Sequence, residues 1–317
     1  MKKLNFAFDV TGLESYVEHE QDRLRAVSVL QGKTLSKIQV LDGQKGTTEL
    51  SLLDDTINYQ SGSTCTISPS GDTLLTDKTL TVVDIALVKS FCMKTLSGYF
   101  AQGRLVAGAS AETQSLPFEE QIVEHIMAKH SAALDQAIWI SDSALSSGNN
   151  QFFDGFKTLM DADASVLEAN TTGVTAITNS NAYAVFLSVA RTIPEQVLDS
   201  GEAVMFCGRA DFDALKDNLF TLNLYHVGVA NQHDDEMILP ATGVKVISVG
   251  GLNGTSSIYG GKASAFIFGT DLASDYELGV EVWYSKDDDV VYMRNRFRAG
   301  CVYPFSAEMV KHTLAPS

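Results

Sequence analysis

The stretch WYSKDDDVVYMRNRFRAG, residues 283–300, decides how the rest of the chain is interpreted. Two runs of alternating apolar and polar residues flank an acidic DDD turn, and this pattern predicts a β-hairpin. On the second strand the two-residue period puts three arginines on one face, Arg294, Arg296 and Arg298. The opposite face is mainly apolar and is interrupted by Asn295. One face of the hairpin is therefore predicted to pack on the protein, while the other carries charge.

Composition excludes several classes of protein. The chain has 317 residues, of which 45% are hydrophobic and 20% charged, as in ordinary globular proteins. Its formal net charge of −16 repels phosphates, so binding to nucleic acid through overall charge is excluded. The N-terminal sequence MKKLNFAFDVTGLESY makes a poor signal peptide, and no apolar run reaches membrane-spanning length. We expect a soluble protein made in a cytoplasm.

The cysteines show no metal-binding or redox spacing. No pair is separated as in a CxxC motif, so neither a zinc knuckle nor a thioredoxin-type site is indicated. Their surroundings in the sequence are largely apolar, which predicts packed free thiols. They are Cys65, Cys92, Cys207 and Cys301.

Other motifs that suggest chemistry fail on spacing. The glycine cluster VGGLNG, residues 249–254, lacks the GxGxxG spacing and predicts a turn, not a nucleotide-binding loop. The acidic run QHDDE, residues 232–236, is typical of a solvated loop. His125 and His130 are five residues apart on a predicted helix and cannot form an i,i+4 metal pair. The sequence therefore predicts no cofactor, no metal site and no catalytic centre.

Two long segments of the first half have distinct patterns. Residues 31–60 contain the turn dipeptide Asp42-Gly43 between β-leaning runs, which predicts a long exposed hairpin or loop. Because an isolated two-stranded hairpin is marginal in water, we expect it to rest on something else, such as another subunit. A long helix is predicted to begin at an N-cap near Ser115, with Pro117 in its first turn. Its single apolar stripe is typical of a structural spine.

After residue 199 the pattern alternates between strands and helices. EAVMFC and AFIFG predict buried strands, RADFDALKDNLF predicts an amphipathic helix, and TGVKVISVGGLNG predicts a strand and a turn. Together with the hairpin and the long helix, these elements predict an α+β fold.

Four runs of the second half resemble the major capsid proteins of tailed bacteriophages, which have the Hong Kong 97-type capsid fold. They are GRADFDALKDNLF, MILPATGVKVISVGGLNGTSSIY, AFIFGTDLASD and VWYSKDDDVVYMRNRFRAGCVYPF. Residues 62–140 are similar more loosely, through SGSTCTISPSGDTLLTDKTLTV and the long helix. The first 60 residues are similar only in their general type of segment. The resemblance rests on scaffold residues and carries no catalytic signature.

The resemblance implies an N-terminal arm, an E-loop that lies on a neighbouring subunit, a peripheral domain with a long spine helix and a β-hairpin, and an axial α/β domain. The implied domains are 1–26 for the N-terminal arm, 27–65 for the E-loop, 66–184 for the first part of the peripheral domain with its spine helix at about 115–140, 185–275 for the axial domain, and 276–317 for the peripheral-domain hairpin and C-terminal return.

The resemblance also implies which residues contact neighbouring subunits. Candidates are Lys33, Lys37 and Lys45 in the implied E-loop, and the three arginines of the hairpin. Arginine pairs bidentately with carboxylates, which an acidic neighbour supplies, although a solvated arginine face is the alternative. Some similar proteins link a lysine covalently to an asparagine with the help of a glutamate. Asn295 and these lysines lie in the corresponding regions, but no such trio stands out.

The implied function is structural, not enzymatic. The resemblance implies a major capsid subunit that self-assembles through pentamers and hexamers into an icosahedral shell enclosing double-stranded DNA, without sequence-specific binding. A separate scaffolding protein and a portal are the further expected partners, with no membrane. Assembly is expected in the bacterial host cytoplasm and the final location in the virion capsid. Two alternatives stay open: an encapsulin-like nanocompartment shell, and an α/β enzyme or ligand-binding protein with an unrecognised site.

Overall fold

The computed structural model describes residues 33–55, 57–60, 71, 73–92, 116–169, 174–224, 235–271, 280–285, 287–288 and 290–314. The predicted N-terminal arm lies outside the described residues, as do Cys65 and the predicted cap Ser115. The described strands are β1 Gln39–Leu41, β2 Thr47–Asp55, β3 Thr73–Thr81, β4 Val83–Cys92, β5 Leu167–Glu168, β6 Ala203–Cys207, β7 Glu236–Ile238, β8 Lys245–Ser248, β9 Ile258–Lys262, β10 Ile267–Gly269, β11 Val280–Ser285, β12 Val290–Val302 and β13 Val310–His312. The described helices are α1 Leu116–Ile140, α2 Phe156–Ala162, α3 Ala182–Thr192, α4 Glu195–Asp199 and α5 Arg209–Thr221.

The predicted long helix is present as α1, which has 25 residues. Its described C-terminal half buries an apolar stripe at helical spacing that includes Met127, Leu134 and Ile138. His130 lies on the same stripe and is 8% exposed. The helix therefore packs along the molecule through one face, as the sequence pattern predicted.

A six-stranded sheet forms the centre of the second half, in the order β5-β13-β9-β6-β8-β7. All five residues of β6 are buried, because both faces of the sheet are covered. Val204 and Phe206 of β6 point to a cluster that includes Trp139 of α1. Met205 points to the other face, where α3 and α5 pack. The sheet thus joins two hydrophobic cores.

The glycine cluster VGGLNG packs against α1. Gly250–Leu252 form a short 3₁₀ turn, and a Cβ on Gly251 would lie only 2.5 Å from the carbonyl oxygen of Asp135. On the same helix, the Asp135 carboxylate accepts a hydrogen bond from the Thr34 amide at 2.9 Å. The Trp139 indole N–H donates to the Thr34 hydroxyl at 2.9 Å. These glycines therefore permit close packing around the middle of α1.

The predicted C-terminal hairpin is formed by β11 and β12, paired antiparallel from Val280↔Asn295 to Ser285↔Val290. Alternate residues of β12 are buried, and Phe297 packs edge-on against His130 with 4.7 Å between ring centroids. The hairpin gains a third strand that the sequence did not predict, because β4 pairs with β12 over ten residues. Strands β4, β12 and β11 belong to a five-stranded sheet that continues through β10 to β1. We call these three strands the three-stranded sheet, and the arginine face is its outer face.

Of the two alternatives for residues 31–60, a hairpin or a loop, the hairpin with its turn at Asp42-Gly43 is wrong. Gly43 does have a positive φ of 79°, but the strand before it, β1, pairs in parallel with β10. The strand after it, β2, pairs instead with β3, from Thr47↔Thr81 to Asp55↔Thr73. We call this two-stranded sheet, β2 with β3, the ribbon. The division of the chain into arm, E-loop, peripheral and axial domains stays a prediction.

Candidate subunit interface

The outer part of the ribbon exposes a group of leucine side chains to solvent. Leu53, Leu74 and Leu75 are 59%, 55% and 63% exposed. Ile57 and Tyr59, which follow β2, are also exposed. Clustered exposed apolar side chains mark interaction sites, and a two-stranded sheet is marginal without a covering layer. The ribbon is therefore a candidate docking element.

Both faces of the ribbon carry these leucines. Leu53 and Leu75 are directly paired across the two strands and share one face. Leu74 is adjacent to Leu75 in β3 and therefore points to the opposite face. A single flat contact on one side would leave part of this apolar surface in water.

The outer face of the three-stranded sheet carries a second group of exposed aromatic and charged side chains. Trp283 stacks on Tyr292, with ring centroids 5.5 Å apart. The Arg294 guanidinium lies over the Trp283 ring at 5.3 Å and pairs with Glu281. Tyr292 donates a hydrogen bond to Asp288 at 3.2 Å, and this bond raises the pKa of the phenol. Aromatic and arginine side chains in such a row are typical of protein interfaces.

The three predicted arginines have different surroundings. Arg298 pairs with Asp84 on β4 and lies 2.5 Å from a carboxylate oxygen of the buried Asp271, so it joins parts of the same chain. Arg294 is held across the hairpin by Glu281. Arg296 is exposed, and no ion pair involves it within the described residues. Arg296 is therefore the arginine best placed to reach another molecule.

Two of the three predicted lysines form ion pairs within the chain. Lys33 pairs with Asp235, and Lys37 pairs with Glu236. Asp235 also binds Arg209, and these cations lower the pKa of its carboxyl group, with the Lys33 hydrogen bond as the largest cause. Lys45 is exposed in the segment between β1 and β2. The described end of the QHDDE run is thus occupied by ion pairs within the chain.

Asn295 and the buried cysteines are shielded from neighbouring molecules. Asn295 is 1% exposed, so its amide faces the interior. Cys207 and Cys301 are buried, and burial raises the pKa of both thiols, whereas Cys92 is exposed. Among the described residues, no group of three or more histidine, cysteine or acidic side chains could hold a metal ion. No described helix is both long and apolar enough to cross a membrane.

The sequence did not single out the ribbon leucines. The signal was present, because Leu52-Leu53 and Leu74-Leu75 are adjacent apolar pairs in strands that are otherwise polar except for Leu50 and Leu80. In a strand, adjacent residues point to opposite faces, so such a pair predicts apolar groups on both sides. Neither side of this part of the ribbon is covered by the described residues of the rest of the chain.

The fold is similar to those of chains in solved phage structures and in a GTA particle. The satellite phage P4 procapsid including its size determination (Sid) protein gives a TM-score of 0.59 at 12% identity, covering 92% of this chain and 88% of that one. Gordonia phage Cozz gives 0.59 at 12% identity, covering 90% and 87%. The capsid of an empty GTA particle, computed with C5 symmetry, gives 0.56 at 12% identity, covering 92% and 90%. No family model and no curated protein sequence matches the chain. The chain has the fold of tailed-phage major capsid proteins.

Proposed function

We propose that this protein is the major capsid subunit of a tailed phage and assembles through pentamers and hexamers into an icosahedral shell around double-stranded DNA. The observation that carries the proposal is the ribbon, which presents leucines on both faces in a chain that has this fold. Assembly occurs in the bacterial host cytoplasm with a separate scaffolding protein and a portal, and the final location is the virion capsid.

The ribbon supplies a repeated apolar contact. Burying the exposed part of one leucine side chain is worth roughly 1–2 kcal/mol. Each copy in a closed ring gives its ribbon to one neighbour and receives a ribbon from another, so this modest stabilisation is repeated at every subunit. Many weak identical contacts suit a shell whose pieces must dissociate and rejoin before the shell closes.

The charged side chains determine how neighbouring subunits align with one another. Arg296 on the outer sheet face is available to a carboxylate of a neighbouring copy, and a chain with a net charge of −16 offers many. Lys45 is exposed between β1 and β2 and stays a contact predicted from the sequence. Lys33, Lys37, Arg294 and Arg298 form pairs within the subunit and therefore position these surfaces. The acidic surface repels DNA phosphates, which suits a container that must release its contents.

The test is assembly of the protein expressed alone and with a candidate scaffolding protein, followed by light scattering and negative-stain microscopy. We expect shells, tubes or discrete five- and six-fold rings. A Leu53→Ser/Leu75→Ser double variant should stay folded by circular dichroism and fail to assemble. A Leu145→Ser variant, which changes an exposed leucine in the loop after α1, should assemble normally.

Two results would overturn the proposal. One is a folded monomer at high concentration under every condition, including co-expression with the scaffolding protein. The other is native particles that enclose a protein cargo and no nuclease-protected DNA, which would favour a nanocompartment shell.

A further inference from the structure

The ribbon is attached to the rest of the subunit at two points on β3. Strand β3 alternates between its two faces, and Lys78 and Leu80 lie on the same face. Leu80 is fully buried and Lys78 is partly buried, whereas the other residues of β3 are exposed. At the base, Leu50 of β2 packs against the same cluster as Leu80. Lys78 lies beyond this base and makes a separate contact with the rest of the subunit.

The first attachment is an apolar notch at the base of the ribbon. Gly269 of β10 and Gly300 of β12 are paired in register. A Cβ on Gly269 would lie 2.7 Å from a methyl group of Leu80, and a Cβ on Gly300 would overlap the carbonyl group of Thr81. Because two glycines leave room here, Leu80 packs directly onto the backbone of the sheet, together with Val82.

The second attachment lies two residues further out, about 7 Å along the strand. The Lys78 ammonium is 3.4 Å from the Ser306 hydroxyl, 3.9 Å from an Asp163 carboxylate oxygen and 5.4 Å from the centre of the Tyr303 ring. We call Lys78, Asp163, Tyr303 and Ser306 the Lys78 cluster. It lies between the end of α2 and the segment before β13, away from the notch.

Asp163 of the Lys78 cluster is held by hydrogen bonds that do not involve Lys78. Asp163 accepts hydrogen bonds from the Ser306 hydroxyl at 2.6 Å, the Tyr303 hydroxyl at 3.0 Å and the Ser165 amide at 2.8 Å. These donors, the Ser306 bond first, lower the pKa of Asp163 to about 2. The carboxylate is therefore charged and fixed in place at neutral pH, whereas Lys78 extends from a strand whose other outer residues are exposed.

We propose that the Lys78 cluster is a conformational clamp that sets the angle of the ribbon, and that its release lets the ribbon pivot about the apolar notch. When both contacts are made, the ribbon has a fixed orientation. When only the notch holds it, the ribbon can change its angle to the rest of the subunit. The notch is apolar and buried, so it persists. The cluster is partly exposed, and such ion pairs are weak enough to open and close. The subunit thus has two ribbon states, one attached at both points and one attached at the notch alone.

The clamp rests on contacts within one subunit and does not depend on the proposed capsid function. It does give that function a means of control. Any ligand or neighbouring copy that competes for Lys78 or Asp163 would change where the ribbon leucines point.

The test is a distance measurement between spin labels, one at Leu75→Cys on the ribbon and one at Leu145→Cys in the loop after α1. Cys65→Ser and Cys92→Ser remove the other cysteines not shown to be buried. Dilution with excess unlabelled protein keeps distances between subunits out of the signal. We expect one narrow distribution in this background. Lys78→Met should broaden it about twofold or add a second peak, because the notch alone then holds the ribbon.

Three further variants separate the clamp from general damage. Lys78→Arg should keep the narrow distribution, and Lys89→Met, which removes an exposed lysine from β4, should leave it unchanged. Ser306→Ala should broaden it in the same direction as Lys78→Met. The proposal is overturned if Lys78→Met folds normally by circular dichroism and keeps the narrow distribution, or if Lys89→Met broadens it equally.

Discussion

The six-stranded sheet and the ribbon are made of the same kind of element but are covered in different ways. Strand β6 is buried along its whole length, with Phe206 on one face and Met205 on the other. The ribbon is longer and has more paired residues, yet its outer part is exposed on both faces. Backbone pairing is therefore not what distinguishes the two regions.

The difference shows which interaction decides whether a sheet is stable within one chain. The net contribution of a hydrogen bond to stability is small, because water competes for the same groups. Burial of apolar surface contributes more, and the six-stranded sheet has it within one chain. The outer ribbon lacks it among the described residues, and we propose that a neighbouring copy supplies it.

The largest expected effect comes from the same mutation made in both regions. Leu219→Ala removes a fully buried side chain that packs on the six-stranded sheet, and should lower the free energy of unfolding by about 2–5 kcal/mol. Leu53→Ala should change it by less than about 0.5 kcal/mol, because the side chain is already in water. Denaturant unfolding of the unassembled subunit measures both. Equal destabilisation by the two mutations would mean that the ribbon is covered within the subunit.

The second prediction concerns acid. Burial lowers the pKa of His130 to about 4 from its ordinary 6.5, so the folded protein holds this imidazole neutral. The unfolded chain takes up the proton first. Stability from this residue is complete above pH 6.5 and is lost progressively as the pH falls to about 4, in total about 3 kcal/mol. Unfolding midpoints measured across this range should fall accordingly.

Two variants isolate that effect. His130→Leu should remove this part of the pH dependence, whereas His125→Gln, at an exposed position on the same helix, should retain it. An unchanged profile in His130→Leu would show that other groups cause the acid sensitivity. Because His130 packs against Phe297 of β12, the acid effect belongs to the body of the subunit and not to the ribbon.

Short-range periodicity explains which elements were predictable. The β11–β12 hairpin and helix α1 each display a regular apolar period over more than ten residues, and both were found where the sequence placed them. The alternation of β12 correctly assigned Arg294, Arg296 and Arg298 to one face. These features depend only on neighbours along the chain.

Features that depend on distant partners were missed. The turn at Asp42-Gly43 is real, but the choice of β10 as the partner of β1 is made more than two hundred residues away. The same limit applies to the arginines. Periodicity put them on one face, but it contains no information on Asp84 and Asp271, which hold Arg298 inside the subunit. The sequence therefore predicted the surface that carries the arginines, but not that Arg296 is the one without an ion pair among the described residues.

The third prediction separates the arginines. Arg298→Ala deprives the buried Asp271 carboxylate of its guanidinium partner and should lower the free energy of unfolding by about 1–3 kcal/mol. Arg296→Ala should change it by less than about 0.5 kcal/mol and act on assembly instead. Denaturant unfolding and light scattering of the two variants should give opposite patterns. If Arg296→Ala destabilises the subunit and assembles normally, the solvated or structural interpretation of this face is correct.

The smallest and most local effect tests both faces of the ribbon. In a Cys65→Ser/Cys92→Ser background, Leu74→Cys and Leu75→Cys place a thiol on opposite faces of adjacent residues. Both should react with a water-soluble maleimide at similar rates in unassembled subunits, since both positions are exposed. In assembled particles both should react roughly tenfold more slowly, whereas Ser146→Cys in the loop after α1 gives the rate of an exposed site outside the ribbon. Protection of Leu75→Cys alone would mean that a neighbour covers only one face, because residues one apart on a strand cannot share a covering surface.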